Sequence, residues 1–373
     1  MSLVVADPDK TALAPFLDQL KQLGLDPLPA TDLNLALEMC EHAPPKLVVS
    51  GCMEWAVELA AIHRRVPVVL AAHQDPDSEI LLQALRSGLA DVWTLPMEDK
   101  VVRGRIEDIV RRHAAAASQA EKRLGQYVAD LQRDQRAGQY IQMGMLPPNP
   151  MAIDRYRFQH RIVPSLMLSG DFVDYFRLTD RHFAFYVADV SGHGASSAFV
   201  TVLLKNFSRR LRREIRPSML SEPGEILEWF NRELLDQNID KHVAVIMAIG
   251  DLQRNSVCLA NAGHFPPAIL VSDGSSDRPK AGFVEQKGKP VGLFDKVNYD
   301  ARTVELEVGD RLVVFSDGVL DALKGMNLSQ KEELLLQAAV SKGDMDSIWE
   351  SLGIDLARQT PDDMTCLTVR RES

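Results

Sequence analysis

The segment spanning residues 182–194 reads HFAFYVADVSGHG and shows how the second half of the chain is built. Its first eight residues, 182–189, are mostly apolar, which predicts a buried β-strand. Asp189 ends this strand, and Gly192 and Gly194 follow it in a polar loop. Because glycine has no side chain, such a loop allows the backbone and a phosphate group to approach closely. The segment therefore predicts a carboxylate at the end of a buried strand.

Three further aspartate-bearing motifs lie beside predicted strands. They are Ser169-Gly170-Asp171-Phe172-Val173-Asp174, Ser316-Asp317-Gly318 and Pro361-Asp362-Asp363-Met364-Thr365. A compact fold can bring these carboxylates together at one end of its sheets, and hard carboxylate oxygens suit Mg²⁺ or Mn²⁺. Two such ions about 4 Å apart activate water and clamp a phosphate for in-line attack. Taken singly each motif is weak, since an Asp-Gly pair after a strand is usually a turn.

The region 147–373 is predicted to be an α+β domain, because its strands occur in clusters with helices between the clusters. Apolar runs predict strands at residues 158–163, 171–178, 182–189, 243–249, 257–260, 268–271, 311–315 and 364–369. A first helix is expected to carry Phe199, Leu203, Phe207 and Leu211 on one face. A second helix is expected over residues 226–235.

Residues 113–146 are predicted to form a helical linker, which ends at Leu146-Pro147-Pro148-Asn149-Pro150 because proline cannot continue a helix. Five residues fall seven apart, namely Ala117, Leu124, Leu131, Gly138 and Met145. This heptad favours a coiled coil with a second copy of the chain. A single helix lying on its own domain is the alternative, since Gly138 and Asp134 weaken the seam.

Residues 1–112 alternate short apolar runs with amphipathic segments, which predicts an α/β doubly wound sheet. Strands are expected at residues 3–5, 47–49, 66–70 and 92–95. The strand spacing, Asp7 and the Leu95-Pro96 turn resemble a two-component receiver of the flavodoxin-like fold.

This receiver-like domain lacks the residues that aspartyl phosphorylation requires. Gly51 stands where the resemblance implies a phosphorylatable aspartate, Ala6 replaces one acidic residue, and Ala72 and Leu95 replace the hydroxyl residue and the lysine. Only Asp7 remains. We therefore expect a degenerate receiver with no phosphoacceptor, which serves in docking or dimerisation.

Over about residues 140–371 the chain resembles the stage-II-sporulation and stress-response branch of the metal-dependent (type 2C) protein phosphatases. The resemblance rests on the four aspartate motifs in their order. It also includes Gln142-Met143-Gly144-Met145-Leu146-Pro147, Asn261-Ala262-Gly263-His264-Phe265-Pro266-Pro267 and Lys289-Pro290-Val291-Gly292-Leu293. The resemblance implies a four-layer αββα sandwich and two Mn²⁺ or Mg²⁺ ions. By the same resemblance the metal ligands are Asp171, Asp189, the backbone carbonyl of Val190, Asp317 and Asp362.

The resemblance also implies a set of supporting residues. Asp174 is expected near the ligands as a supporting or third-metal residue, and Asp363 takes the place of a polar capping residue. The glycines expected to support the site are Gly170, Gly192 and Gly318. His193 is expected either to act as a general acid or to donate a supporting hydrogen bond, whereas His264 supports the Asn261 loop.

Composition limits the partners and the location. The chain has 42 basic and 52 acidic residues and a net charge of -10, which argues against nucleic acid as a partner. The start lacks a basic region before an apolar run, and no apolar stretch is as long as a membrane span. The cysteines Cys40, Cys52, Cys258 and Cys366 have no metal-ligand spacing, and we interpret them as reduced thiols. A cytoplasmic protein is therefore expected.

Three functions compete at this point. The first is metal-dependent hydrolysis of phosphoserine or phosphothreonine on a partner protein. By the resemblance this partner is a phosphorylated anti-sigma-factor antagonist in bacterial stress signalling. The second is a non-catalytic adaptor that sequesters a sigma-factor regulator. The third, an aspartate-phosphorylated response regulator, is opposed directly by Gly51 and Leu95.

Overall fold

In a computed structural model, the chain forms two compact units, Met1–Asp130 and Leu131–Ser373. The structure describes residues 1–9, 11–192, 194–273, 280–341, 345–356 and 360–372. Each unit contains its own hydrophobic core. The division falls inside the helix Asp99–Met145, so the domain boundaries expected at residues 112 and 146 remain predictions.

Strands and helices alternate in the first unit. In chain order they are β1 (Ser2–Ala6), α1 (Ala14–Gln22), β2 (Asp26–Ala30), α2 (Leu33–His42), β3 (Leu47–Ser50), α3 (Met53–Ile62), β4 (Val68–Ala72), α4 (Ser78–Arg86), β5 (Asp91–Thr94) and α5 (Asp99–Met145). The strands form one parallel sheet in the order β2-β1-β3-β4-β5. Side chains of α1 and α5 cover one face of this sheet, and those of α2 and α3 cover the other. The doubly wound, flavodoxin-like prediction is confirmed.

Sequence analysis missed strand β2. It reads DPLPA, and Pro27 and Pro29 argue against a strand because proline donates no ladder hydrogen bond. The strand lies at the edge of the sheet, where it pairs with β1 alone. An edge strand tolerates proline, since one side of its backbone needs no partner strand.

The second unit contains two antiparallel sheets and their covering helices. Its elements are β6 (Met151–Ile153), β7 (Tyr156–Val163), β8 (Asp171–Arg177), β9 (His182–Val190), α6 (Ala195–Glu214), α7 (Pro223–Asp236), β10 (Val243–Asp251), β11 (Ser256–Ala262), β12 (Ile269–Ser272), β13 (Lys280–Phe283), β14 (Ala301–Glu305), β15 (Arg311–Phe315), α8 (Gly318–Ala322), α9 (Leu328–Ala339), α10 (Met345–Leu352) and β16 (Met364–Arg371). The sheet orders are β14-β11-β10-β9-β8 and β13-β12-β15-β16-β7-β6.

Three apolar clusters hold these layers together. One cluster fills the space between the two sheets. A second joins α6 and α7 to the outer face of the five-stranded sheet, and a third joins α8, α9 and α10 to the outer face of the six-stranded sheet. The resulting order of helices, sheet, sheet and helices confirms the four-layer αββα prediction.

Helix α6 lies where the sequence predicts a helix, but its buried face differs. The buried residues include Val200, Leu204, Phe207 and Leu211, which recur every three or four positions. Phe199 is 72% exposed, so the expected apolar face is not buried at its first position. Phe199 precedes Val200 by one position, and one position turns a side chain by about 100° around a helix.

The expected linker, residues 113–146, is part of α5, which already begins at Asp99. Leu124 and Leu131 of the heptad are 63% and 59% exposed. The part of the helix from Leu131 onward belongs to the second unit, in which Gly138 faces Leu168 and Met145 packs against the cluster beneath α6 and α7. Among the residues that the structure describes, no helix has both the length and the apolar character needed to cross a membrane.

Candidate metal centre

The five-stranded sheet brings two of the expected ligands together. Asp171 at the start of β8 and Asp189 near the end of β9 are direct partners in the antiparallel register. Opposite residues of such a pair point to the same face. Val173 and Val187 share that face and belong to the core between the sheets. Both carboxylates therefore point toward the edge of the space between the two sheets.

The six-stranded sheet contributes the other two aspartates from neighbouring loops. Asp317 follows Ser316 at the end of β15, and Asp362 lies just before β16. The backbone N–H of Ser316 donates to the carbonyl of Thr365 at 3.0 Å, which holds the two loops side by side. Burial, and after it the charge of Asp362, raises the pKa of Asp317. The two carboxylates are therefore close enough to repel each other.

A hydrogen bond between the sheets completes the cluster. The Oγ1 of Thr365 in β16 donates to Oδ2 of Asp171 at 2.6 Å. Burial, with the charge of Asp189 second, raises the pKa of Asp171 well above its ordinary value. Burial, followed by the charges of Asp317 and Asp362, raises the pKa of Asp189 to about 7. A cation placed among these four carboxylates would relieve their repulsion.

The donor set fits a hard divalent cation in its chemistry. Carboxylate and carbonyl oxygens are the ligands that Mg²⁺ and Mn²⁺ take, and zinc sites favour nitrogen and sulfur. Within the described ranges, no three or more His, Cys, Asp or Glu side chains already stand in the geometry of a metal site. Closure of the carboxylates around an ion is therefore part of any metal-binding proposal.

Asp363 accepts hydrogen bonds from the loop before β8. Its Oδ1 accepts hydrogen bonds from the backbone N–H and the hydroxyl of Ser165, at 2.7 and 2.9 Å. Its Oδ2 accepts the N–H of Gly170 at 2.5 Å. These three bonds occupy both oxygens of a carboxyl group that is almost fully buried. Asp363 therefore positions the segment that leads into Asp171, in line with its expected supporting role.

Space requires a glycine at position 318 and leaves little room for a side chain at position 170. A Cβ on Gly318 would lie 2.0 Å from the carbonyl oxygen of Asp363. A Cβ on Gly170 would lie 3.2 Å from the carbonyl oxygen of Val190, the expected backbone ligand, and 3.3 Å from that of Gly192. A side chain at position 170 would therefore crowd the carbonyl expected to face a metal ion.

The buried amide of Gln142, near the end of α5, forms hydrogen bonds with the segment before Asp171. Its Nε2 donates to the carbonyl of Ser169 at 2.7 Å, and its Oε1 accepts the N–H of Ser169 at 3.1 Å. The Nε2 also lies 3.1 Å from Oγ1 of Thr201 in α6. In turn, Oγ of Ser169 accepts the N–H of Asp171 at 3.0 Å. One side chain thus pairs with both backbone groups of Ser169, as a neighbouring strand would.

Asp174 lies apart from the four carboxylates. Its side chain alternates to the opposite face of β8 from Asp171, where Nζ of Lys205 lies 3.0 Å from both of its carboxylate oxygens. Burial raises the pKa of Asp174, and the charge of Lys205 opposes this. We therefore leave Asp174 out of the proposed ligand set.

The two histidines of the sequence motifs differ in what the structure describes. His193 lies outside the described residues. His264 is buried beside Asn261, whose side chain bonds to both the N–H and the carbonyl of His264 at 2.8 and 2.9 Å. Burial lowers the pKa of His264 to about 4. This arrangement agrees with a supporting role for His264 in its loop.

Sequence reasoning missed the roles of Thr365, Ser165 and Gln142. Thr365 and Gln142 stand inside quoted motifs, so their positions were in view, but their partners lie 194 and 27 residues away. Ser165 stands in a segment without any motif. Contacts of this kind come from the tertiary fold, and local sequence patterns do not encode them.

Comparison with known proteins adds to this geometry. Residues 179–372, just over half of the chain, match the family described as Stage II sporulation protein E (SpoIIE). The phosphoserine phosphatase RsbP of Bacillus subtilis (strain 168) is 26% identical over 202 residues, which are 52% of this chain and 47% of RsbP. The phosphoserine phosphatase RsbU of the same organism is 25% identical over 217 residues, which are 56% of this chain and 62% of RsbU. The chain thus spans less than two thirds of either relative.

A solved structure is similar to about two thirds of the chain. The SiaA-PP2C domain of Pseudomonas aeruginosa matches with a TM-score of 0.50 and 20% sequence identity, covering 67% of this chain and 98% of that chain. At this identity the likeness concerns the fold alone.

Proposed function

Because the chain belongs to the stage II sporulation protein E (SpoIIE) family, we propose that it hydrolyses phosphoserine or phosphothreonine on a partner protein. The observation that carries this proposal is the convergence of Asp171, Asp189, Asp317 and Asp362 from two sheets. RsbP and RsbU, each named a phosphoserine phosphatase, support the substrate class.

The proposed ligands are those four aspartates and the backbone carbonyl of Val190, holding two Mn²⁺ or Mg²⁺ ions. When bound, the ions supply an activated water and neutralise the charge of the phosphoryl group. The chain's own contribution is to hold the four carboxylates close together, with Asp171 buried and the other three half-buried, so that water screens them less than at an open surface.

Supporting residues hold the segments that carry the proposed ligands in place. Asp363 and Gln142 fix the segment before Asp171, and Gly170 leaves the carbonyl of Val190 uncovered. The proposed part of His193 is that of a general acid toward the serine leaving group or of a supporting donor.

The proposed substrate is a phosphorylated anti-sigma-factor antagonist, which would couple stress signalling to transcription. The test is phosphate release from such a purified phosphoprotein by the full-length chain. We expect release that EDTA abolishes and Mn²⁺ restores. Tight binding of the phosphoprotein without release, in the presence of either Mn²⁺ or Mg²⁺, would favour the non-catalytic adaptor instead.

A homodimer through residues 113–146 is a further part of the proposal, supported by the exposure of Leu124 and Leu131. Apolar residues seven apart on an exposed helix pair well with a second copy. Replacing both leucines by glutamine should lower the dimer fraction in sedimentation, whereas the exposed Gln132→Ala serves as the control. A double variant that remains fully dimeric would rule out this seam.

We place the protein in the cytoplasm, with neither nucleic acid nor a membrane as partner. The four cysteines, Cys40, Cys52, Cys258 and Cys366, are all unpaired, which suits a reducing compartment. The net charge of -10 supports the exclusion of nucleic acid.

A further inference from the structure

Three arginines stand in a row across the six-stranded sheet of the second unit. Arg311 at the start of β15 is the register partner of Arg370 in β16, and Arg370 is the partner of Arg157 in β7. Residues directly opposite each other place their side chains on the same face, where like charges repel. This row lowers the stability of the sheet unless an anion offsets the repulsion.

The row lies at the opposite end of its strands from the candidate metal centre. Arg311 begins β15, whereas Asp317 follows the end of that strand, and Arg370 is near the end of β16, whereas Asp362 precedes its start. Whatever binds at the arginines is therefore separate from the carboxylate cluster.

The three arginines line an open groove of about 290 Å³. Gln159 and Thr368, which are register partners two residues further along the same face, line it as well. Their side chains add an amide and a hydroxyl to the guanidinium donors. Glu372 is the one acidic residue among its described lining residues. Met345 and Ile348 form the apolar part of its lining, but the three guanidinium groups make the groove suit a small anion better than an apolar ligand.

Arg311 is the most buried of the three. It is half-buried, and its Nη2 donates to the neutral carbonyl of Ser341 at 2.6 Å. Burial, and after it the charge of Arg370, lowers the pKa of Arg311. A neutral carbonyl offsets the burial of a cation less well than an anion does.

The carboxylates near the other two arginines are distant. Glu372 lies 3.7 Å from Arg157, and Asp273 lies 3.8 Å from Arg370, with all four side chains between 43% and 49% exposed. Both separations exceed a good hydrogen bond, and exposed pairs of this kind contribute little. With respect to the residues that the structure describes, donors of both arginines therefore remain available to a ligand.

We propose that this groove binds a small phosphate-bearing anion, held by Arg157, Arg311 and Arg370. The planar guanidinium presents paired N–H donors that match the oxygens of phosphate. Free phosphate and a phosphate monoester share this chemistry, and the experiment distinguishes them.

The test is calorimetric titration of the full-length chain with inorganic phosphate and, separately, with adenosine monophosphate. Divalent cations are removed with EDTA beforehand, so that phosphate cannot bind through metal ions at the carboxylates. We expect one binding site per chain that weakens as salt is raised. Tighter binding of the monoester assigns the groove to phosphate esters, and tighter binding of inorganic phosphate assigns it to the free anion; either result supports the proposal.

Two variants and a matched control locate the site. Arg311→Met and Arg370→Met should each weaken binding about tenfold or more, since each removes charge-assisted hydrogen bonds. Arg302→Met, on the exposed edge strand β14, should leave binding unchanged. Arg370 is half-exposed, so its variant serves if the Arg311 variant fails to fold. The absence of binding by the wild type, or binding that neither variant weakens, would overturn the proposal.

Discussion

Both units of this chain place aspartate at a strand end, and the two places have opposite characters. In the first unit, Asp7 follows β1, and a Cβ on Gly51 would lie 1.7 Å from its Oδ2. The side chain of Asp7 therefore fills the space that a second acidic residue would need. In the second unit, Asp171 and Asp189 stand face to face with raised pKa values.

The fold alone places an aspartate at a strand end, whereas binding a metal ion needs several carboxylates together. A strand end offers a place for a carboxylate in either sheet. Among the described residues it is the second unit that gathers several carboxylates whose mutual repulsion a cation can relieve. An isolated aspartate such as Asp7, which accepts a local hydrogen bond from the N–H of Asp9 at 2.7 Å, is a turn residue by contrast.

The largest expected effect comes from removing one of the clustered charges. Asp189→Asn and Asp317→Asn should each lower phosphate release roughly 10³-fold, because each deletes a ligand needed for charge stabilisation. The fold should remain intact, since both changes relieve repulsion. Phosphate release and circular dichroism measure the two effects, and the exposed Asp295→Asn is the control. Wild-type activity of either variant at limiting Mn²⁺ would show that the ligand assignment is wrong.

A smaller effect is expected at the amide that supports the cluster. Gln142→Leu leaves both backbone groups of Ser169 without their partner, and residues that orient metal ligands typically alter metal affinity by about 10- to 100-fold. We expect the Mn²⁺ concentration for half-maximal phosphate release to rise by that range. Gln132→Leu, at an exposed position of the same helix, should have no effect. Equal Mn²⁺ requirements for the two variants would remove Gln142 from the site.

The first unit should resist conversion into a working receiver. Acetyl phosphate should leave residues 1–112 unmodified, as judged by intact mass. Gly51→Asp should not restore an adduct, because the new side chain collides with Asp7 and Leu95 offers no cation. The same change should lower the melting temperature by several degrees. An acid-labile phosphoryl adduct on the wild-type domain would contradict the degenerate-receiver interpretation.

The smallest effect concerns a buried histidine that the proposed chemistry does not use. His160 lies with its Nδ1 3.0 Å from Oη of Tyr175, and burial lowers its pKa to about 4. An exposed histidine titrates near 6.5, so the unfolded chain takes up the proton first. The contribution of His160 to stability is therefore complete above pH 6.5 and is lost as the pH falls toward 4.

Urea unfolding at pH 7.5, 5.5 and 4.5 measures this loss. His160→Gln should reduce the fall in unfolding free energy over that window by up to about 3 kcal/mol. His264, with a pKa of about 4 as well, remains in the variant and retains its own share of the fall. Identical slopes for the variant and the wild type would show that His160 titrates normally in the folded protein.

Sequence patterns predicted the buried strands, including the edge strand β8, and missed the edge strands that are exposed. Apolar runs located β15 at its observed bounds, because a strand covered on both faces is continuously apolar. The edge strands β13 and β14 are mostly exposed or half-buried, and they carry no such run. Edge strands have fewer apolar neighbours, so their sequences are less constrained.

In the candidate site, too, some features were predicted from the sequence and others were missed. The aspartates were found through their motifs and the family resemblance. Two hydrogen bonds of the site, from Thr365 to Asp171 and from Gln142 to Ser169, join distant parts of the chain. No local sequence pattern predicts such bonds. Side chains alternate between the two faces of a strand, so the bounds of β8 determine that Asp174 points away from Asp171 and toward Lys205.

The packing of Gly318 against the carbonyl of Asp363 bears on how catalytic competence is judged in this family. That glycine is demanded by close contact between two loops, whether or not an ion ever binds. A descendant that lost Asp317 and its activity would still be selected to retain Gly318 in order to fold. Genome surveys that score the Asp-Gly pair as a single signature would therefore give a partial match to inactive proteins that retain the glycine alone. On the proposed ligand assignment the aspartate carries the information about chemistry, and the glycine reports only that the architecture persists.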